Sequence, residues 1–139
     1  MSVEAFIWCY KLGENASIPL GKVLDVFRPH TESFESEAGI LHLQFGGPED
    51  ACDLYLGARA AEREATAGIS ISRPLKAPQL WECVLEIMRR ENVILFFSDN
   101  TTPLYATRDV LAHFPQELLR SLGEPRLVAN VQDILASRT

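Results

Sequence analysis

Two hydrophobic periods run through this chain, and each marks out its own elements. Val3 to Lys11 (VEAFIWCYK) is apolar on both alternating sets and rich in aromatic and aliphatic residues. This predicts a central strand covered on both sides. After a turn at Gly13-Glu14-Asn15, Leu20, Val23, Leu24 and Phe27 recur at helical spacing, with start signals at Ser17 and Pro19 and a stop at Arg28-Pro29. Gly21 is the weak point of that helix. Thr31 to Gly39 is polar, acidic and aperiodic, and reads as a loop. Ile40 to Phe45 sets Leu41, Leu43 and Phe45 against His42 and Gln44, and Ala51 to Leu56 sets Cys52, Leu54 and Leu56 against Asp53 and Tyr55. Around the Gly46-Gly47-Pro48 turn these segments predict an antiparallel hairpin with one wet face.

Ala58 to Ala67 is rich in Ala, Glu and Arg and predicts a short solvated helix, followed by a short strand from Ile69 to Arg73. Pro74 and Pro78 precede the strongest helix, where Leu80, Trp81, Val84, Leu85 and Met88 form one apolar stripe and Asn92 offers a C-terminal cap. Val93 to Ser98 is a continuous apolar run and reads as a buried central strand. Asp99 to Pro103 reads as a turn, with Leu104 to Ala106 as the returning strand. Thr107 begins a helical turn ending near Phe114. Pro115 opens a helix through Leu118, Leu119 and Leu122 that Gly123 closes. A last strand from Arg126 to Ala129 leads to a small helix capped by Asn130. There is no internal repeat, low-complexity tract or linker. The expectation is a single α+β domain over residues 1–139, a mostly antiparallel or mixed sheet of about five to six strands packed against about three to four helices.

Composition agrees with that picture. The chain has 139 residues, of which 47% are apolar and 23% charged, enough to build one real core. The apolar run from Ala5 to Tyr10 follows Glu4 and stops at Lys11, unlike a secretory leader, and no run nears the roughly 20 residues that span a bilayer. Cys9, Cys52 and Cys83 are odd in number, far apart and set among apolar neighbours, so they predict buried thiols and a reducing, cytoplasmic setting.

Charge changes the picture more. The chain carries 19 acidic and 13 basic residues, a net charge of −6. Pro29 to Gly57 holds six acids (Glu32, Glu35, Glu37, Glu49, Asp50 and Asp53) and no Lys or Arg, which leaves 13 of each sign elsewhere. All the net charge therefore belongs to one loop-and-hairpin segment. A solvated edge that promotes solubility would look like this, and so would a docking surface for a basic protein partner. With Thr31 to Gly39 as a loop, the two acidic groups fall at opposite ends of the hairpin unless that loop folds back along it. Phe34, alone among acids in TESFESE, is either tucked into the core or an exposed anchor. With no basic stripe, the same charge argues against nucleic acid.

Candidate chemistry is sparse. Ser98, Asp99, Asn100, Thr101 and Thr102 follow the most apolar strand, where an acid, an amide and hydroxyls suit a polar ligand or hard cation. They also suit an ordinary turn. His42 and Cys52 fall on opposite faces of the hairpin, and none of His30, His42 and His113 has an orienting partner in the sequence. There is no metal-ligand spacing, phosphate loop or catalytic signature. Neither a metal nor a cofactor is expected.

From Ile69 onward the segments GISISRP, PQLWECVLEIMRR, NVILFFSDNTTPLYAT, FPQEL and SLGEPRLVANVQDI resemble, in style and order, small proteobacterial proteins of polymorphic-toxin and effector–immunity loci. The resemblance covers roughly half the chain and implies a cytosolic inhibitor that binds one cognate toxin and does no chemistry. Immunity proteins are often acidic where their toxin is basic, which suits Glu32 to Asp53. No binding residue carries over, because no motif aligns. Two alternatives remain: a ligand- or metal-binding domain or enzyme built on Ser98 to Thr102, and a homodimer through a strand edge, as against a monomer.

Overall fold

The computed structural model describes residues 3–74 and 77–137, apart from the side chains of Pro48, Asn100 and Thr101. In chain order its strands and helices begin with β1 (Ala5–Lys11), β2 (Glu14–Asn15), β3 (Ile18–Pro19), α1 (Leu20–Phe27), β4 (Thr31–Glu35), β5 (Ile40–Gln44) and β6 (Ala51–Tyr55). They continue with α2 (Ala60–Arg63), β7 (Ala65–Thr66), β8 (Gly68–Ile71), α3 (Pro78–Arg90) and β9 (Val93–Phe97). The remainder is β10 (Asn100–Tyr105), α4 (Gln116–Leu122), β11 (Arg126–Leu127) and α5 (Val131–Ala136). One nine-stranded sheet has the order β11-β10-β9-β1-β8-β6-β5-β4, with β2 hanging on β1, and β3 pairs β7 separately. Every pairing in the large sheet is antiparallel except β10 with β11.

The α+β expectation holds, and the counts are larger than expected. Among the described residues there are eleven strands and five α-helices rather than five to six and three to four. The surplus is short. The two-residue strands β2, β3, β7 and β11 exist only through their partners and leave no period in the sequence.

The inner face of the sheet carries the core. Ile7 lies between Ile69 and Leu95, while Leu54 is paired with both Ile71 and Leu41, and all six side chains are essentially without solvent exposure. Against them pack Leu20, Val23 and Phe27 of α1, the stripe Leu80, Trp81, Val84, Leu85 and Met88 of α3, and Ile134 of α5. Each such side chain contributes roughly 1.5–3 kcal/mol by leaving water. Helix α3 ends in Arg89 and Arg90, which complement its dipole, and its C-cap is the extended Glu91 rather than Asn92. The Asn92 carbonyl instead accepts a hydrogen bond from Tyr10 N at 3.0 Å. Asn130 caps α5 as expected, accepting from Asp133 N at 3.0 Å.

The segment read as a loop is a strand. Thr31 to Glu35 pairs with β5 at the sheet edge, with Phe34 opposite Leu41 on the inner face and Glu35 opposite Ile40 on the outer. An edge strand with water on one side needs only one apolar residue in its pairing row, which hides its period. The chain then turns through Ser36 to Gly39. Gly39 has φ +70, and a Cβ there would lie 2.0 Å from the Gly57 carbonyl oxygen. Its own carbonyl accepts from Leu56 N at 2.6 Å, so this turn locks the β4–β5 hairpin to the end of β6.

Substituting Gly39→Ala combines left-handed strain with a backbone collision and is expected to cost roughly 2–4 kcal/mol in chemical denaturation. Gly21 sits in α1 with nothing within 4 Å of a Cβ. Gly21→Ala should therefore stabilise by roughly 0.5–1 kcal/mol. Similar changes at the two glycines would refute this reading of the hairpin.

Candidate functional site

Among the described residues, the outer face of the sheet is covered at one end only. There the 3₁₀ turn Arg108–His113 and α4 fold over Tyr10, Ile94 and Tyr105 with Val110 and Phe114. This corrects the expectation for β1, which is covered on both sides at Tyr10 but not at Phe6 and Trp8. Those two rings and Phe96 interlock, with Trp8 edge-on to Phe96 at 4.7 Å and Phe6 5.2 Å from Phe96. Trp8 remains 37% exposed and Tyr55 47%, so aromatic surface meets water across β1 and β6. Gly68 makes this geometry possible. It faces Trp8 across the pair, and a Cβ there would lie 2.9 Å from Trp8 Cδ1. The indole can therefore lean over β8.

Beside the aromatics stands a charged cluster. His42 pairs with Asp53 across β5–β6, and Glu35 of β4 lies diagonally from it on the same face. His42 Nδ1 is 2.6 Å from Asp53 Oδ1, and Nε2 is 3.0 Å from Glu35 Oε2. With a carboxylate on each nitrogen, the ring donates twice as an imidazolium. Hydrogen bonding to Glu35 first, and then to Asp53, raises its pKa above the ordinary 6.5. Protonated, the ring donates to both carboxylates at once and clamps β4, β5 and β6 together at the sheet edge. The carboxylates lie on opposite sides of the ring. Among the described residues no group of three or more His, Cys, Asp and Glu side chains is arranged to hold a metal ion.

The acidic residues divide accordingly. Because β4 folds back along the hairpin, Glu35 and Asp53 meet on the outer face at His42, while the turn holding Glu37 and the one holding Glu49 and Asp50 stay at opposite ends as expected. Glu32 is exposed on β4 and Glu37 in the turn that follows it. Glu49 and Asp50 are exposed in the 3₁₀ turn Pro48–Asp50 at the far end of β5 and β6. Phe34 is no exposed anchor. It points inward, partly buried, and packs on the core. No signal in the sequence marks the Glu35–His42 contact, because it requires β4 to be a strand.

The Ser98 to Thr102 loop is tighter than expected, since β10 already begins at Asn100, opposite Phe97. Ser98 is engaged by the residue just ahead of β1: its Oγ accepts from Glu4 N and its N donates to Glu4 O, both at 2.9 Å. Asp99 is exposed, Thr102 lies within β10, and the side chains of Asn100 and Thr101 are outside the described residues. The thiols are buried. Burial first, then the charge of Glu91, raises the Cys9 pKa to about 11. Burial and Asp53 raise Cys52 to about 12, and burial with Glu86 raises Cys83 to about 11. Cys52 pairs with Leu43, on the opposite face from His42.

Two measurements check the site. The raised His42 pKa means that the clamp stabilises the fold fully below the unfolded value of 6.5 and that this contribution is lost as pH rises through the folded value. The urea midpoint of His42→Gln should therefore fall below wild type at about pH 6 and approach it at about pH 9. An equal deficit at both would remove the ion-pair account. Separately, an aromatic disulfide reagent at neutral pH should label the three cysteines only as fast as the protein unfolds, whereas a rapid native reaction at any one would contradict its burial.

No helix among the described residues is long and apolar enough to cross a membrane. The chain matches no protein-family model, and no curated protein and no solved structure matches it, so the likeness to immunity proteins rests on the sequence alone.

Proposed function

We propose that this chain is a cytosolic immunity-type inhibitor, a protein-binding module that neutralises a basic cognate toxin and performs no chemistry of its own. One observation carries the reading. The acidic segment folds back so that Glu35 and Asp53 lie on the same uncovered sheet face as Phe6, Trp8 and Tyr55. Exposed aromatics at the centre of a surface supply binding energy, and a charged border supplies rate and selectivity. Glu37, exposed in the turn after β4, extends that border. Monomeric proteins rarely leave aromatic rings of this size grouped in water unless something covers them.

The test is a titration against the product of the neighbouring open reading frame. A tight 1:1 complex is expected, with association that slows steeply as salt is raised. Because Glu35 and Asp53 also hold His42, the informative variant is Glu35→Gln/Glu37→Gln/Asp53→Asn, which removes charge while keeping hydrogen-bonding groups. It should associate about ten-fold more slowly or worse at low salt with its fold intact. An unchanged rate in this variant would sink the acidic-surface reading.

A further inference from the structure

Two neighbouring stretches of the open face carry an acid followed two residues later by an aromatic. Glu4, immediately ahead of β1, precedes Phe6, and Asp53 precedes Tyr55 on β6. Strand alternation places the members of each pair on one face about 7 Å apart. Between these strands runs β8, whose outward residues are Gly68 and Ser70, with Ser72 next in line. Small side chains flanked by large ones leave a shallow groove over Ser70 and Ser72, bounded at the other end by the Trp8 indole leaning over Gly68. Hollows of about 280 and 260 Å³ open beside Trp8 at its Gly68 end.

We propose that this groove receives an arginine-bearing segment of the partner protein. The proposal rests on the basic-partner reading and gives that partner its chemistry. A guanidinium lies flat on a ring while its N–H groups reach a carboxylate, and an acid-x-aromatic pair on one strand face offers both at once. A lysine ammonium uses the carboxylate and gains less from the ring. The groove has a direction. Glu4 and Asp53 stand at its Ser72 end, whereas Arg63 lines the hollow at its Gly68 end, beside Trp8 and Tyr55. Cationic side chains of the segment therefore lie towards Ser72, and its apolar ones against Trp8. Arg73 follows Ser72 in the exposed bend beyond β8, and its charge is felt by the inward Cys52.

The experiment titrates hexa-arginine amide and hexa-lysine amide into the full chain at low salt, followed by calorimetry and tryptophan emission. Trp81 is 1% exposed, so a change in emission reports Trp8, and the Trp8→Phe variant assigns it. Hexa-arginine should bind about ten-fold more tightly than hexa-lysine and shift the emission. Phe6→Leu/Tyr55→Leu keeps apolar bulk without the rings and should bring the two peptides close to parity. Equal binding of both peptides, with emission unmoved and the ring variant neutral, would overturn the groove and leave the basic-partner reading standing. Absence of binding by either peptide up to millimolar concentration would overturn the groove and count against the acidic surface as well.

Discussion

A sheet has two faces, and the helices among the described residues are enough to cover one of them. α1, α3 and α5 close the inner face over a continuous aliphatic and aromatic core, while the 3₁₀ turn and α4 reach only the β9–β10 end of the other. The uncovered part is where Phe6, Trp8 and Tyr55 meet water. These residues follow from the same alternation that builds the core, because every inward residue of β1 has an outward neighbour. What distinguishes this sheet is that the outward neighbours are large rings, held in place by one another and by the missing side chain of Gly68.

The charge on that face is organised by a hydrogen-bonded imidazolium rather than left as a loose acidic fringe. His42 brings Glu35 and Asp53 to within bonding distance of one ring, although β4 and β6 are not neighbours in the sheet. Two carboxylates and one imidazolium leave a net negative surface in a fixed arrangement, the condition under which charge selects a partner as well as attracting one. Gly39 contributes from the far side of the turn. By bonding to Leu56 N and packing on Gly57, it prevents the acidic hairpin from swinging away from β6.

Elements with a strong period are legible in the sequence. The alternation of β5 and β6, the stripe of α3, the unbroken run of β9 and the Asn130 cap all appear where hydrophobic spacing and capping chemistry place them. β4 is not legible, because its apolar content is essentially Phe34 and its outward residues are polar. The short strands are not legible because pairing alone defines them. The localisation of charge to Pro29 through Gly57 needs only the sequence, but its convergence does not follow. Convergence depends on β4 folding back along β5, a tertiary choice that no residue in Thr31 to Gly39 announces on its own. The aromatic face is hidden for a related reason. A strand that is apolar on both sides reads as doubly covered, and only the span of the helices reveals which side stays open.

β1 lies in the middle of the sheet, yet it precedes both of its principal neighbours in the chain by a long way. Its partner strands are Gly68–Ile71 and Val93–Phe97, so the run AFIWCY is not paired on both edges until well over half of the described chain exists. Assembly of this sheet is therefore governed by distant contacts and closes late. Any fragment that ends before β9 keeps an apolar strand with an unpaired edge, the feature that invites association with the wrong neighbour during synthesis.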